Sequence, residues 1–304
     1  MKKLDFATTL VESQSYIGEQ ALEYILACFL KNRTADSGVR VVTDIVKSAF
    51  VAKLSGSNLV ECGDNCTFSP TGTLNATEVE LTPCTMYINI ELCYRDLVGI
   101  WNGLNGGNLN TQDLGSDFNR ALQEVLVSTM AEFFEDVLWN GTTGTTLTGC
   151  SCTLDGIDAQ ITTHRLTGST FTKANIVGFV DAAMAALPVC ILEDTSKLKI
   201  YMNPKTYLFY RQAMMALGFN TPCDISCAQT YDGIPIYTVG KIKDDKLYVI
   251  QPENIVIGVG AMDNFSQLSI KDMRTVTLDN SVRMAVQGKV DVKLIYEAEA
   301  VVLG

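Results

Sequence analysis

The longest uninterrupted helical pattern in the chain runs from Ser116 to Gly141, SDFNRALQEVLVSTMAEFFEDVLWNG. Ser116 or Asp117 can accept the free N–H groups of the first turn, no Gly or Pro intervenes, and Asn140-Gly141 supplies the stop. At ~100° per residue, Phe118, Leu122, Val125, Leu126, Thr129, Met130, Phe133 and Val137 fall on one broad apolar arc, with Arg120, Glu124, Glu132 and Glu135 opposite. That arc must cover something large. Asp136 falls inside it and must either snorkel or find a donor.

Other elements follow from the same patterns. Residues 1–15 are polar and unpatterned, as an arm would be. Tyr16 to Lys31 places Ile17, Ala21, Leu22, Ile25, Cys28 and Phe29 on one face of a short amphipathic helix, which can dock on its own body or on a neighbouring subunit. Val39 to Val60 is rich in β-branched residues and reads as strand at its ends. ECGDNCTFSPTGTLNA reads as turns at a loop tip. Thr77 to Leu92 then alternates with period two, so the whole region makes a long two-stranded excursion with little core of its own.

Residues 150–265 read as a compact α/β unit. Thr172 to Leu187 is a capped helix ended by Pro188, LKIYMNP a buried strand, and Pro204 the first residue of a helix closed by Gly218. Strands follow at GIPIYTVG, KLYVIQ and ENIVIGVG, with Gly258 and Gly260 marking a tight strand end. From Phe265 to Gly304 the chain reads as strands again, and their alternation offers a face for the long helix to cover.

Composition narrows the function. An apolar share of 47% in 304 residues supplies an ample core, and a net charge of −11 argues against a surface that grips nucleic acid through its phosphates. MKKLDFATTL lacks the apolar run of a secretory signal, and no stretch approaches the ~20 apolar residues of a membrane span. The expectation is a soluble protein made in the cytoplasm, with no membrane partner.

The chemistry is sparse. The only histidine is His164, in the polar stretch TTHRLTGST, where a surface loop explains it better than a catalytic base. Glu193-Asp194 and Asp244-Asp245 sit in turn-like contexts as solvated charges. GTTGTTLTG lacks the spacing of a phosphate cradle. Of ten cysteines, Cys62/Cys66 and Cys223/Cys227 have CxxxC spacing, which admits zinc or local disulfides as well as simple burial. No active site, cofactor site or metal site is expected.

In this order, the elements resemble the major capsid protein of tailed bacteriophages, the Hong Kong 97-type fold. CTFSPTGTLNATEVELTPCTMYINIELCYRDL resembles the outgoing and returning parts of that family's E-loop, and the helix closing FFEDVLWNGTTG resembles its spine helix. LKIYMNPKTYLFYRQ, GIPIYTVG and ENIVIGVG resemble the axial domain, and SVRMAVQGKVDVKLIYEAEAVVL the last peripheral-domain strands. The resemblance covers residue 37 onward. It implies an α+β capsid fold: an N-terminal arm (1–36), an extended E-loop hairpin with flanking strands (37–92), a peripheral domain (93–149 and 266–304) with spine helix 116–140, and an axial domain (150–265).

The function so implied is structural: self-assembly through pentamers and hexamers into an icosahedral shell around phage double-stranded DNA, inside the host bacterial cytoplasm. Partners would be other copies, with portal and decoration proteins and a separate scaffolding protein or none. Some 36 residues precede the E-loop-like region, too few for a large fused scaffold. Candidate interface residues are Ile17, Leu22, Ile25 and Phe29 on the arm, Phe68, Pro70 and Leu74 at the loop tip, and Glu124 and Glu135 on the spine. Two alternatives remain: an encapsulin-like nanocompartment shell, and a zinc- or thiol-dependent enzyme using the CxxxC pairs.

Overall fold

A computed structural model of the chain describes residues 14–17, 33–57, 73–93, 128–142, 154–168, 170–217, 230–260, 267–273 and 276–304. In chain order, the first elements are β1 (Gln14–Ile17), α1 (Arg33–Asp36), β2 (Arg40–Ile45), β3 (Ala49–Ser57), β4 (Thr73–Leu81) and β5 (Cys84–Cys93). Helix α2 (128–140), α3 (Ile157–Gln160), β6 (Arg165–Leu166), α4 (Ile176–Ala185), α5 (Val189–Leu192), β7 (Lys199–Met202) and α6 (Pro204–Ala216) come next. The chain closes with β8 (Thr230–Tyr231), β9 (Ile234–Thr238), β10 (Leu247–Ile250), β11 (Ile255–Gly260), β12 (Gln267–Asp272), β13 (Ser281–Leu294) and β14 (Val301–Leu303).

The first sheet is built on β13, in the order β1-β12-β13-β11-β2, with β5 also pairing β13. The strand alternates along SVRMAVQGKVDVKL, so Val282, Met284, Val290, Val292 and Leu294 share a buried face. The second sheet has the order β6-β14-β10-β7-β9-β8. Its alternation divides the core in two. Ile200, Met202, Leu247, Val249, Val301 and Leu303 face α4 and α6, while Tyr201, Tyr248, Ile250 and Val302 point the other way, into the core that holds α2 and the first sheet.

Helix α2 is therefore wedged against both sheets. Met130, Phe134, Val137, Leu138 and Trp139 are buried, Trp139 completely. The burial is rotated from the arc read in the sequence: Phe134 is buried where Phe133 is only half-buried, and Thr129 is exposed. A helix with packed layers on more than one side buries more than one stripe. Asp136 finds a donor, the Asn140 side chain at 2.8 Å, and the same Asn140 amide donates to the Lys241 carbonyl at 2.7 Å. The helix ends as expected at Asn140. Gly141 follows in a close approach, where an added Cβ would lie 2.5 Å from the Val137 carbonyl oxygen. Residues 116–127 of the expected helix lie outside the described residues.

Elsewhere the local grammar holds. Asn203 caps α6, its side chain accepting from the Lys205 N–H at 2.9 Å with Pro204 in the first turn. The helix ends at Ala216, and Gly218 is outside the described residues. Helix α4 starts later than expected. Thr172 to Asn175 forms a turn, in which the Asn175 side chain accepts from the Thr172 N–H at 2.7 Å.

Four expectations are corrected. Tyr16 and Ile17 do not begin a helix; they lie in β1, an edge strand paired antiparallel with β12, Tyr16 opposite Leu268 and Ile17 opposite Gln267. Thr73 to Ala76 are not loop but the start of β4. Gly258 does not mark a strand end: it lies within β11, whose last residue is Gly260, and both are buried where close neighbours leave no room for a side chain.

The fourth correction concerns sheet membership. Strand β11, expected with residues 150–265, pairs β2 and β13 in the first sheet, and β14, expected with 266–304, pairs β10 and β6 in the second. Hydrogen-bonded pairing joins segments distant in sequence, and alternation specifies a strand's face but not its neighbour. Among the described residues no helix is long and apolar enough to cross a membrane.

Candidate assembly surfaces

Strands β3 and β4 form a two-stranded sheet of their own, in register from Ala49 opposite Leu81 to Ser57 opposite Thr73. Among the described residues only its root has a core. Val51 and Leu81 are buried against Ile45 and Val256, with Val42, Ala49 and Ile295 alongside. Further out, the Lys53 ammonium lies 5.1 Å from the centre of the Tyr296 ring, a cation–π contact. Past that point Leu54, Gly56 and Thr73 to Glu78 are exposed.

Its outer face is unusual for a free surface. Period-two alternation puts Phe50, Ala52, Leu54 and Gly56 on one side, facing Glu80, Glu78, Ala76 and Leu74 across the strands. Phe50 and Leu54 are each 59% exposed and Leu74 65%. The result is an apolar row along β3 that continues onto β4 at Leu74, with exposed Glu78 and Glu80 beside its root. A two-stranded sheet is marginal alone, and an open apolar row on one marks an interaction surface.

Of the interface residues expected from sequence, Leu74, expected at the loop tip, lies exposed on strand β4. Ile17 lies on edge strand β1. Leu22, Ile25, Phe29, Phe68, Pro70 and Glu124 lie outside the described residues. Glu135 is corrected: it is not a free spine carboxylate, because its Oε1 accepts from the Thr34 hydroxyl at 3.3 Å and the Thr34 N–H at 3.4 Å. Phe50 and Leu54 were legible in the alternation of AFVAKLSGS, but a segment with both helical and extended readings did not single them out.

Other apolar side chains also stand in solvent. Leu208, Met215 and Leu217 mark α6 and its end, Val189 opens α5, and Leu278, with φ of +64°, is 88% exposed in the turn between β12 and β13.

The polar clusters are built for support. Asp158 accepts from Lys246, from Arg165 at 3.1 Å and from the Tyr248 hydroxyl at 3.2 Å. Burial works to raise the Asp158 carboxyl, but the hydrogen bond and charge of Lys246, with Arg165, hold it below its usual range. Tyr248 is pushed up by burial and by the Asp158 charge. His164 is half-buried, and its carbonyl accepts from the Val302 N–H at 3.0 Å, stitching β14 to the strand that follows it.

Asp244 pairs with Lys205 at 2.7 Å and Asp194 with Lys197 at 3.3 Å, as ordinary surface charges do. Among the described residues no three His, Cys, Asp or Glu side chains are grouped to hold a metal. Cys84 is disulfide-bonded, and Cys93 and Cys190 are free and exposed. Cys62, Cys66, Cys223 and Cys227 lie outside the described residues.

No protein-family model matches the chain, and no curated protein does. Solved structures do match. The satellite phage P4 procapsid, which includes the size determination (Sid) protein, aligns over 92% of this chain and 89% of its own at 12% identity, with a TM-score of 0.64. The capsid of the native GTA particle aligns over 89% of both chains at 14% identity, with a TM-score of 0.62. The holo-SrpI encapsulin complex from Synechococcus elongatus PCC 7942 aligns over 89% of this chain and 86% of its own at 11% identity, with a TM-score of 0.57. With phage capsids dominating these neighbours across nearly the whole chain, the fold is that of the tailed-phage major capsid proteins.

Proposed function

We propose that this chain is the major capsid protein of a tailed phage, a structural subunit that self-assembles through pentamers and hexamers into an icosahedral shell enclosing double-stranded DNA. The observation that carries this reading is the outer face of the β3–β4 hairpin, where Phe50, Leu54 and Leu74 form an apolar row that a lone chain leaves wet and a second copy would cover. Burial at about 25 cal/mol per Å² over several such contacts can outweigh the entropy of docking each copy. Glu78 and Glu80 beside the row favour a covering surface with basic groups at its rim.

In this reading the hairpin is the E-loop, α2 the end of the spine helix, the first sheet the peripheral domain, and the second sheet with α4 and α6 the axial domain. Strand β1 belongs to the N-terminal arm. Leu22, Ile25 and Phe29 on the arm, Phe68 and Pro70 at the hairpin tip, and Glu124 on the spine extend the contacts between copies. The net charge of −11 suits a container that encloses DNA without gripping it. Assembly would take place in the host bacterial cytoplasm, with separate scaffolding, portal and decoration proteins, and the product would be the virion capsid.

Electron microscopy of the overexpressed protein after size-exclusion chromatography tests the proposal. Closed shells, tubes or five- and six-membered rings support it. A stable monomer under every condition, with and without a candidate scaffold, overturns it. Likeness to the encapsulin complex supports a second reading, a shell around a protein cargo. Particles purified from their source decide between the two, since packaged DNA supports the phage capsid and packaged enzyme the compartment. Stoichiometric zinc on a stable monomer would instead support an enzyme built on the CxxxC pairs.

A further inference from the structure

The hairpin joins the body at two links, β2 to β3 and, through Thr82 and Pro83, β4 to β5. Below the second link lie two cross-strand neighbours of the first sheet, Gly258 on β11 and Asp291 on β13. Strand alternation places both on the face away from α2, since Val290 and Val292, on either side of Asp291, point into the α2 core. Gly258 is a hole. A Cβ there would lie 2.9 Å from Ile45 Cδ1 and 3.4 Å from Leu81 Cδ2, so the missing side chain leaves the space that Ile45 and the buried Leu81 share. Asp291 is a clamp. It is fully buried, its Oδ2 accepts from the Thr82 N–H at 2.7 Å, and its Oδ1 accepts from the Val292 N–H at 2.8 Å.

A buried carboxylate is costly unless it is paired, and no cation among the described residues bonds this one. The same chain position could carry a valine at no such cost. What Asp291 supplies that valine cannot is an acceptor for the first N–H beyond Leu81. We infer that Gly258 and Asp291 form a socket that sets the direction in which the β3–β4 hairpin leaves the body, with Asp291 as its positioning residue. The socket takes one side chain, Leu81, and one backbone N–H, that of Thr82. Seating these two adjacent groups fixes both the height and the rotation of the strand end. The biological use of the socket rests on the shell reading, because a hairpin aimed wrongly cannot meet a second copy.

The charges around the socket give it a pH signature. Burial pushes the Asp291 carboxyl up, opposed by the Lys293 charge on its own strand and by the Thr82 and Val292 N–H groups, and reinforced by the charge of Asp155 ahead of α3. From the β4–β5 link and β11, Thr82, Leu81 and the Gly258 backbone face this point. A seated hairpin therefore holds the proton more readily than an unseated one. Seating is firmest below the usual carboxylate value of 3.8 and loosens as pH rises through the raised value.

The test is hydrogen exchange of the purified full-length protein from about pH 4 to about pH 7, corrected for the pH dependence of chemical exchange. Asp291→Asn keeps the shape but turns an amide N–H toward one of the two donors. It is expected to speed exchange across residues 73–84 by about tenfold and to abolish the pH dependence of opening, with β7 and β10 unchanged. Asp291→Glu, which keeps a carboxylate, is expected to retain the pH dependence and serves if the amide variant fails to fold. Hairpin exchange and pH dependence equal to wild type in the variant, or faster exchange spread evenly over the whole chain, overturns the inference. Shell formation is scored separately by microscopy, so a wild-type protein that never assembles sinks the shell reading while leaving the socket measurable.

Discussion

The Trp139 indole N–H donates to the Thr34 hydroxyl at 2.9 Å, joining helix α2 to the single turn α1 more than a hundred residues earlier. The turn is then tied onward, because the Ser37 hydroxyl donates to the Thr34 carbonyl at 2.6 Å and accepts from the Tyr201 hydroxyl at 2.7 Å. The Trp139 ring sits between Tyr201 and Tyr248, with centroids 5.1 and 4.9 Å away. One buried turn thus fastens the helix to the second sheet.

Thr34→Val keeps the volume and removes the acceptor, leaving a buried indole N–H unpaired. The expected loss is about 1–3 kcal/mol in a denaturant melt. Trp139→Phe made in the Thr34→Val background should cost less than the same change made in wild type, since the orphaned donor is then gone. Equal costs in both backgrounds would show that the bond contributes nothing of its own.

The hairpin separates folding from assembly. Phe50→Ser with Leu54→Ser removes apolar groups that touch solvent, so the melting of the free subunit should stay within about 0.5 kcal/mol of wild type per substitution. Shell formation should be lost. Intact shells from the double variant would count against the apolar row as a contact surface.

Two glycines give opposite predictions. Gly258→Val fills the space held by Leu81 and Ile45, and overpacking there is expected to cost about 1–3 kcal/mol or more. At Gly178 in α4 nothing lies within 4 Å of an added Cβ. Gly178→Ala should therefore stabilise by about 0.5–1 kcal/mol through helix propensity. Thermal melts of the two variants check both signs.

Lys246→Met leaves Asp158 with Arg165 and the Tyr248 hydroxyl but without its closest cation, and is expected to cost about 3 kcal/mol. The pH profile gives a second readout. Because the Asp158 carboxyl is held below its usual value of 3.8, its contribution is complete above that value and is lost as pH falls through the depressed one. Wild type should lose more stability than the variant over that acid window. Parallel acid-unfolding curves would show that the pair does not shift the carboxyl.

Much of this was written locally. Asn203-Pro204 sets the start of α6, Asn140-Gly141 ends α2, and the period-two runs at 77–92, 199–202 and 281–294 fall on strands, because capping and alternation depend only on near neighbours in the chain. The order of these elements by itself carries the resemblance to phage capsid proteins.

Pairing was the part the sequence left open. Only the tertiary structure assigned β11 to one sheet and β14 to the other, because each is a short apolar run that suits either. The β1 strand owes its backbone bonds to β12, some 250 residues away, and no local period records such a partner. Glu135 reads as an exposed helix charge until Thr34 arrives beside it, and Asp291 reads as one polar residue in an alternating strand until the hairpin root closes over it. A sequence pattern fixes which way a side chain points relative to its own element; what it meets there depends on segments brought together from across the chain.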